Sequence, residues 1–225
     1  MTIETPPAAP DAQQRLAKIS VCAIADAMAK LKIQGHLVDV SLVRGFDAPL
    51  TTEICGPAFT VQVVPATGPV VKKLPFHYVD KTERGQVIVI SAPSGSTSGV
   101  FGGLLASASK ARGAAGVVTD GRVRDVQELC STGFPAFSNG TSVHGQQGTT
   151  TVVDVNCPVV VGGCVVRSGD IIRGDVNGVI VVPAERAAEV AAKAEIIEEQ
   201  DDKVAHAVRR GEGLQDSFKR FRSRL

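Results

Sequence analysis

From residue 11 the apolar positions recur every three to four residues. Leu16, Ile19, Ile24, Met28 and Leu31 form a helical stripe, and Gly35 suits its end. The spacing predicts one or two amphipathic helices over 11–35. The period then changes. "CGPAFTVQVVP" (55–65) reads as a strand, 69–81 as a short helix, and "GQVIVISA" (85–92) as a buried strand rich in β-branched residues. A Gly/Ser loop, "PSGSTSGVFGG", opens onto the helix "LLASASKAR", with Gly113 past its end. "AAGVVTD" is the next strand, "RDVQELCST" a short helix stopped by Gly133, and "FPAFS" a further strand. This β-loop-α-β-α-β order predicts a parallel α/β layer.

After residue 140 the chain is almost all strand and turn up to Pro183, with Ser-Gly-Asp and Asn-Gly supplying hairpin chemistry. Residues 184–213 read as a long charged helix. Its apolar stripe, Val190, Ala194 and Ile197, is expected to project from the body and pack on a neighbouring subunit. Residues 1–10 are rich in Pro, Ala and Thr and read as a flexible tail. Residues 11–225 are expected to form a single domain, with a C-terminal helical extension over about 184–210.

Composition narrows the classes. Apolar residues make up 44% of 225, enough for a sizeable core. A net charge of +1 and the absence of Trp argue against nucleic acid as a partner. Cys22, Cys55, Cys130, Cys157 and Cys164 are odd in number and contain no C-x-x-C pair, so reduced thiols are expected. No apolar run approaches the length of a membrane span, and the first residues lack a signal-peptide pattern. A cytoplasmic protein without a membrane partner is expected.

Two stretches carry candidate chemistry. In "SGVFGGLLA" the glycines lie between a buried strand and a helix, where backbone N–H groups and the helix dipole suit an anion such as a carboxylate. The N–H groups of Gly102, Gly103, Leu104 and Leu105 are the candidate donors. A plain β–α turn with glycines for close packing is the alternative. It is not a Walker loop or G-x-G-x-x-G, and "GSTSG" has Thr where a nucleophile elbow needs Ser.

The second stretch, "TDGRVRDVQE", sets Asp120, Arg122, Arg124, Asp125 and Glu128 at the carboxyl end of a parallel strand, where α/β sheets place ligands. Arg124 suits a carboxylate or keto oxygen, and Asp125 suits a hard divalent ion. Arg124 and Glu128, four apart on the expected helix, can face each other. Together these groups suit an enolate next to a 2-keto acid, and a solvated, salt-bridged helix start is the alternative.

Gly103, twenty residues, Arg124-Asp125, two residues and Glu128 read as G-x20-R-D-x2-E. This resembles the signature of the RraA-like family, which contains 4-hydroxy-4-methyl-2-oxoglutarate/4-carboxy-4-hydroxy-2-oxoadipate aldolases and regulators of RNase E activity. "ISVCAIADAM", "CGPAFTV", "FGGLLASASKARGAAGVVTDGRVRDVQEL", "GFPAFS" and "GDIIRGDVNGVIVVP" resemble family blocks in the same order, over roughly residues 16–212. The resemblance implies an RraA-like α/β/β sandwich, similar to a swivelling phosphohistidine domain. It implies a homotrimer, or a homohexamer of two trimers, with sites between subunits. Arg124 would bind the substrate, Asp125 would ligate Mg²⁺ or Mn²⁺, and the backbone of Gly103, Leu104 and Leu105 would hold the pyruvyl carboxylate. An acid from a neighbour's C-terminal helix would complete the site; Glu198, Glu199, Asp201 and Asp202 are available, and Glu199 is the choice.

The implied activity is a divalent-metal-dependent class II pyruvate aldolase that also decarboxylates oxaloacetate. Its rival is a regulator that inhibits a ribonuclease by protein–protein binding. Other residues read as ordinary. Lys72, Lys73, Lys81 and Lys110 lack the apolar strand setting of a Schiff-base lysine. His36, His77, His144 and His206 have no metal-ligand spacing, Glu53 suits the surface, and Asp170 and Asp175 suit turns.

Overall fold

The computed structural model describes residues 10–44, 52–67 and 74–222. The central strands are parallel. β2 (Ile54–Pro65), β3 (Val87–Ser91), β5 (Gly116–Val123) and β6 (Ala136–Thr141) lie side by side, with Phe59 opposite Ile88, Ile88 opposite Val117 and Val117 opposite Ala136. β3 is buried along its whole length. Ile88 and Ile90 pack with Phe59, Val61 and Val117 on one face, while Val87 and Val89 pack with Val118, Phe137 and Ile172 on the other. A strand buried on both faces needs an uninterrupted apolar run, and "VIVIS" supplies it.

Antiparallel strands extend this core. β1 (Ser41–Leu42) pairs β6, β7 (Thr150–Val155) pairs β2, and β10 (Ile171–Asp175) continues the sheet beyond β2 into β11 (Gly178–Val182). The β10–β11 turn is held by Asp175, whose Oδ1 accepts the Asn177 N–H at 2.7 Å and whose Oδ2 accepts the Val21 N–H. Asp170 likewise accepts the Arg167 and Ala184 N–H groups. Both aspartates thus do the turn work expected of them. β8 (Val159–Val161) and β9 (Cys164–Val166) form a separate hairpin, with Val159, Val161 and Val166 packed against the face carrying Val87 and Val89.

Helices cover the outer faces. α3 (Gly103–Ala111) and α4 (Val126–Thr132) bury Ala106 and Leu129 against Ile88 and Ile90. The apolar stripe over 11–35 resolves into α1 (Pro10–Leu16) and α2 (Val21–Lys30), separated where Ser20 caps α2 by accepting the Ala23 N–H. Both pack with α5 (Ala187–Arg209) on Ile171, Ile180 and Val182.

Two expectations need correction. The stripe Val190, Ala194 and Ile197 of α5 does not project towards a neighbouring subunit. It is buried in its own chain against α1 and α2, because those helices present Leu16, Ile24 and Met28 as a complementary face. Within 69–81, residues 74–77 form no helix, Tyr78–Lys81 makes a 3-10 turn, and 69–73, with Lys72 and Lys73, lie outside the described residues. The expected tail, 1–10, lies outside them as well, apart from Pro10 in α1. A last helix, α6 (Leu214–Phe221), was not foreseen; it is tied to α5 by Arg222 on Asp201 at 2.7 Å. Among the described residues no helix is long and apolar enough to cross a membrane.

Candidate active site

The Gly/Ser loop contains a short strand, β4 (Gly99–Phe101), which runs parallel to the end of β5 and delivers the chain into α3. Gly102 is the N-cap of α3 and offers no side-chain acceptor. The Gly103 N–H donates to Asp125 Oδ2 at 3.2 Å. Among the described residues the Leu104 and Leu105 N–H groups have no protein acceptor, since the first bond back along the helix is Ala106 N to Gly102 O. A helix start with donors left over has the geometry that suits an anion.

Asp125 faces that helix start because of its backbone. It is the N-cap of α4 in the left-handed region, φ 57° and ψ 43°, and its side chain makes no capping bond. An L-residue held there costs free energy, and Asp tolerates it better than most. The turn throws the carboxylate across to α3 instead of down onto α4. Arg124 precedes the helix, its backbone N–H donating to Phe101 O at 3.0 Å. Its Nε lies 3.4 Å from Asp125 Oδ2, with the two side chains 45% and 38% exposed.

The expected pairing of Arg124 with Glu128 is therefore not found. α4 begins at Val126, so Arg124 is not on the helix and the two residues do not share a helical face. Glu128 turns towards α3 and lies against Gly103: a Cβ at position 103 would sit 1.7 Å from its Oε2. Gly103 is thus required as much by Glu128 as by any ligand.

Arg124, Asp125, Gly102, Leu104 and Leu105 line one cleft of about 430 Å³. Its far wall is the loop 142–149, with His144, Gln146 and Gln147 in the lining. Sequence reasoning passed over this wall and read His144 as ordinary. Its only signal was a polar, glycine-containing stretch after a strand, which many loops share. The charges clustered at the end of β5 also divide. Asp120 and Arg122 line a second cleft, where Asp120 Oδ1 accepts the Ala92 N–H at 2.9 Å and Arg122 donates to Thr141 O. Burial pushes the Asp120 carboxyl above its ordinary value, against the backbone N–H groups of Ala92 and Gly162.

Among the C-terminal acids, Glu198 accepts the Ser20 N–H at 2.9 Å, Glu199 pairs with Lys203 at 2.7 Å, and Asp201 pairs with Arg222. Glu199 is exposed and does not line its own chain's cleft. Glu53 holds the buried Arg173 at 2.8 Å, Lys110 donates to Thr132 O, and Lys81 lies over the Phe76 ring. The five cysteines are free thiols.

Residues 21–181 match the RraA-like family, described as Aldolase/RraA, and the chain belongs to that family. It is 33% identical over 156 residues to a provisionally named 4-hydroxy-4-methyl-2-oxoglutarate aldolase of Halalkalibacterium halodurans, covering 69% of this chain and 72% of that one. It is 30% identical over 213 residues to protein DlpA of Legionella pneumophila, a match that takes in 92% of this chain but only 33% of DlpA. The crystal structure of Streptomyces coelicolor RraAS2, described as an unusual member of the RNase ES inhibitor RraA protein family, superposes with a TM-score of 0.76 at 26% identity. That match covers 86% of this chain and 95% of RraAS2. The α/β fold described above is the RraA fold.

Proposed function

We propose that the chain is a cytoplasmic lyase that cleaves 4-hydroxy-2-keto acids of the 4-hydroxy-4-methyl-2-oxoglutarate type to release pyruvate, and that the same site decarboxylates oxaloacetate. The observation that carries this reading is the convergence of Arg124, Asp125 and the uncapped start of α3 on one cleft. The Leu104 and Leu105 N–H groups bind the carboxylate of the keto acid, with the dipole of α3 behind them. Arg124 faces the adjacent keto oxygen. When the C3–C4 bond breaks, its electron pair moves onto that oxygen as pyruvate enolate, and the guanidinium stabilises the charge. In aldol cleavage the proton of the 4-hydroxyl leaves as the second carbonyl forms; in decarboxylation CO₂ leaves instead. Protonation at C3 then gives pyruvate in both cases.

The residues fit a hard divalent cation, Mg²⁺ or Mn²⁺. Among the described residues no group of three or more His, Cys, Asp or Glu side chains is placed to hold a metal. A single carboxylate with water and substrate oxygens is what such ions accept. The local charge favours one too: Asp125 and Glu128 outnumber Arg124, and an anionic substrate must enter beside them. Asp125 would hold the ion, which when bound polarises the keto group. A trimer or hexamer would bring an acid such as Glu199 of one subunit to the cleft of another.

A second reading is an RraA-type inhibitor of a ribonuclease, favoured by the likeness to RraAS2. The two separate on one assay. The enzyme loses pyruvate release on chelation and in Arg124→Ala, the latter by about 10²–10³-fold, whereas inhibition by protein contact survives EDTA. Turnover by Arg124→Ala within threefold of wild type removes the enolate site.

A further inference from the structure

The head of Arg124 lies against a residue that has no side chain. A Cβ at Gly145 would sit 2.9 Å from Arg124 Nη1, 3.2 Å from Cζ and 3.7 Å from Nε; these are its three nearest atoms, and all belong to the guanidinium. Gly145 does not adopt a positive φ, so its backbone conformation does not call for glycine. Nearer the backbone of the arginine, a Cβ at Gly102 would sit 3.1 Å from Arg124 Cγ and 3.5 Å from Nε, and Gly102 is extended, at φ −160°. The side chain thus passes the cap of α3 and ends against the loop 142–149. That loop is tied down on both sides of Gly145. His144 O accepts the Gly99 N–H at 2.9 Å, the Ser142 N–H reaches Val123 O at 2.8 Å, and Thr149 O accepts the Ala66 N–H.

We infer that Gly145 is a positioning residue: the missing side chain sets the direction in which Arg124 presents its guanidinium to the keto oxygen. This rests on the reaction proposed above and adds to it a residue outside the G-x20-R-D-x2-E pattern. A methyl group at 145 pushes the guanidinium off its position and out of line with the reacting oxygen. Misplacement by about 1 Å costs on the order of 10²-fold in rate. A merely structural glycine would weaken the fold, and it would do so whatever stands at 124.

The test compares wild type, Gly145→Ala, Arg124→Lys and the double variant. It reads pyruvate release from oxaloacetate with Mg²⁺, calorimetric binding of oxalate as a probe of the enolate shape, and the thermal midpoint. The expected result is at least a tenfold fall in kcat/KM for Gly145→Ala, mostly in kcat. Oxalate binding weakens and the midpoint stays within about 2 °C. In the Arg124→Lys background, where no Nη1 lies against Gly145, Gly145→Ala adds less than twofold. Wild-type rates in Gly145→Ala, or equal losses in both backgrounds, overturn the positioning role and leave the proposed reaction standing. If wild type binds oxalate but releases no pyruvate, the reaction falls, and the oxalate affinities of the four proteins decide the role of Gly145. If wild type neither binds nor turns over, both fall.

Discussion

Replacing Asp125 separates what its carboxylate does for the fold from what it does for chemistry. The ion pair with Arg124 is more than a third exposed on both sides, so solvent leaves it about 0.5 kcal/mol. The bond from the Gly103 N–H, at 3.2 Å and partly exposed, contributes about 1 kcal/mol. The backbone adds a third effect: at φ 57° an Asn is tolerated, whereas an Ala costs about 1 kcal/mol more. Asp125→Asn keeps an acceptor for Gly103 and should lose about 1 kcal/mol, and Asp125→Ala about 2–3 kcal/mol. For a chain of 225 residues those losses correspond to roughly 3 °C and 8 °C in thermal midpoint. Pyruvate release should fall by about 10²–10³-fold in both, worth about 3–4 kcal/mol of transition-state stabilisation. Thermal unfolding and a coupled pyruvate assay on the same samples measure the two effects. An Asn variant within threefold of wild-type turnover refutes the role of the carboxylate; equal midpoints for Asn and Ala refute the backbone reasoning.

Two further outcomes concern stability. Gly103→Ala forces the Glu128 side chain aside, its Cβ included, and should cost about 1–3 kcal/mol; adding Glu128→Ala removes the carboxylate but not that Cβ and should return part of the loss, as read by urea unfolding, and no recovery would mean that the carboxylate does not set the cost. Burial raises the Asp120 carboxyl in the folded protein, so its contribution is fully present below its unfolded value and is lost as pH rises through the folded one. Relative to Asp120→Asn, wild type should therefore gain stability when urea midpoints are compared at pH 7 and then at pH 4.5, and a constant difference would refute the assignment.

How far the sequence could be read follows from the range of each interaction. Strands β2, β3, β5 and β6 were legible because each is an apolar run bounded by glycine or turn residues, and the order of β3, β5 and β6 with their helices pointed to a parallel layer. The uncapped start of α3 was legible from "FGGLLA", since free N–H groups follow from the absence of a Ser, Thr, Asp or Asn cap. The start of α4 was misplaced because an αL aspartate is a conformational choice made by its surroundings, here the N–H of Gly103 across the cleft. The partner of Glu128 was missed for the same reason: i,i+4 spacing presumes one continuous helix, and Arg124 is outside it. The inward face of α5 was misassigned because a stripe such as Val190, Ala194 and Ile197 shows that something is covered, not whose surface covers it. The wall 142–149 was invisible because it meets Arg124 only through folding, and its key contact is the lack of a side chain at Gly145.

The most direct measurement is pyruvate release by the purified protein from oxaloacetate and from 4-hydroxy-4-methyl-2-oxoglutarate, with Mg²⁺, then with EDTA, then with Mg²⁺ restored. Release that stops on chelation, returns with the ion and is lost in Arg124→Ala is the predicted result. A folded protein that releases no pyruvate from either keto acid, or releases it equally in EDTA, would contradict the account.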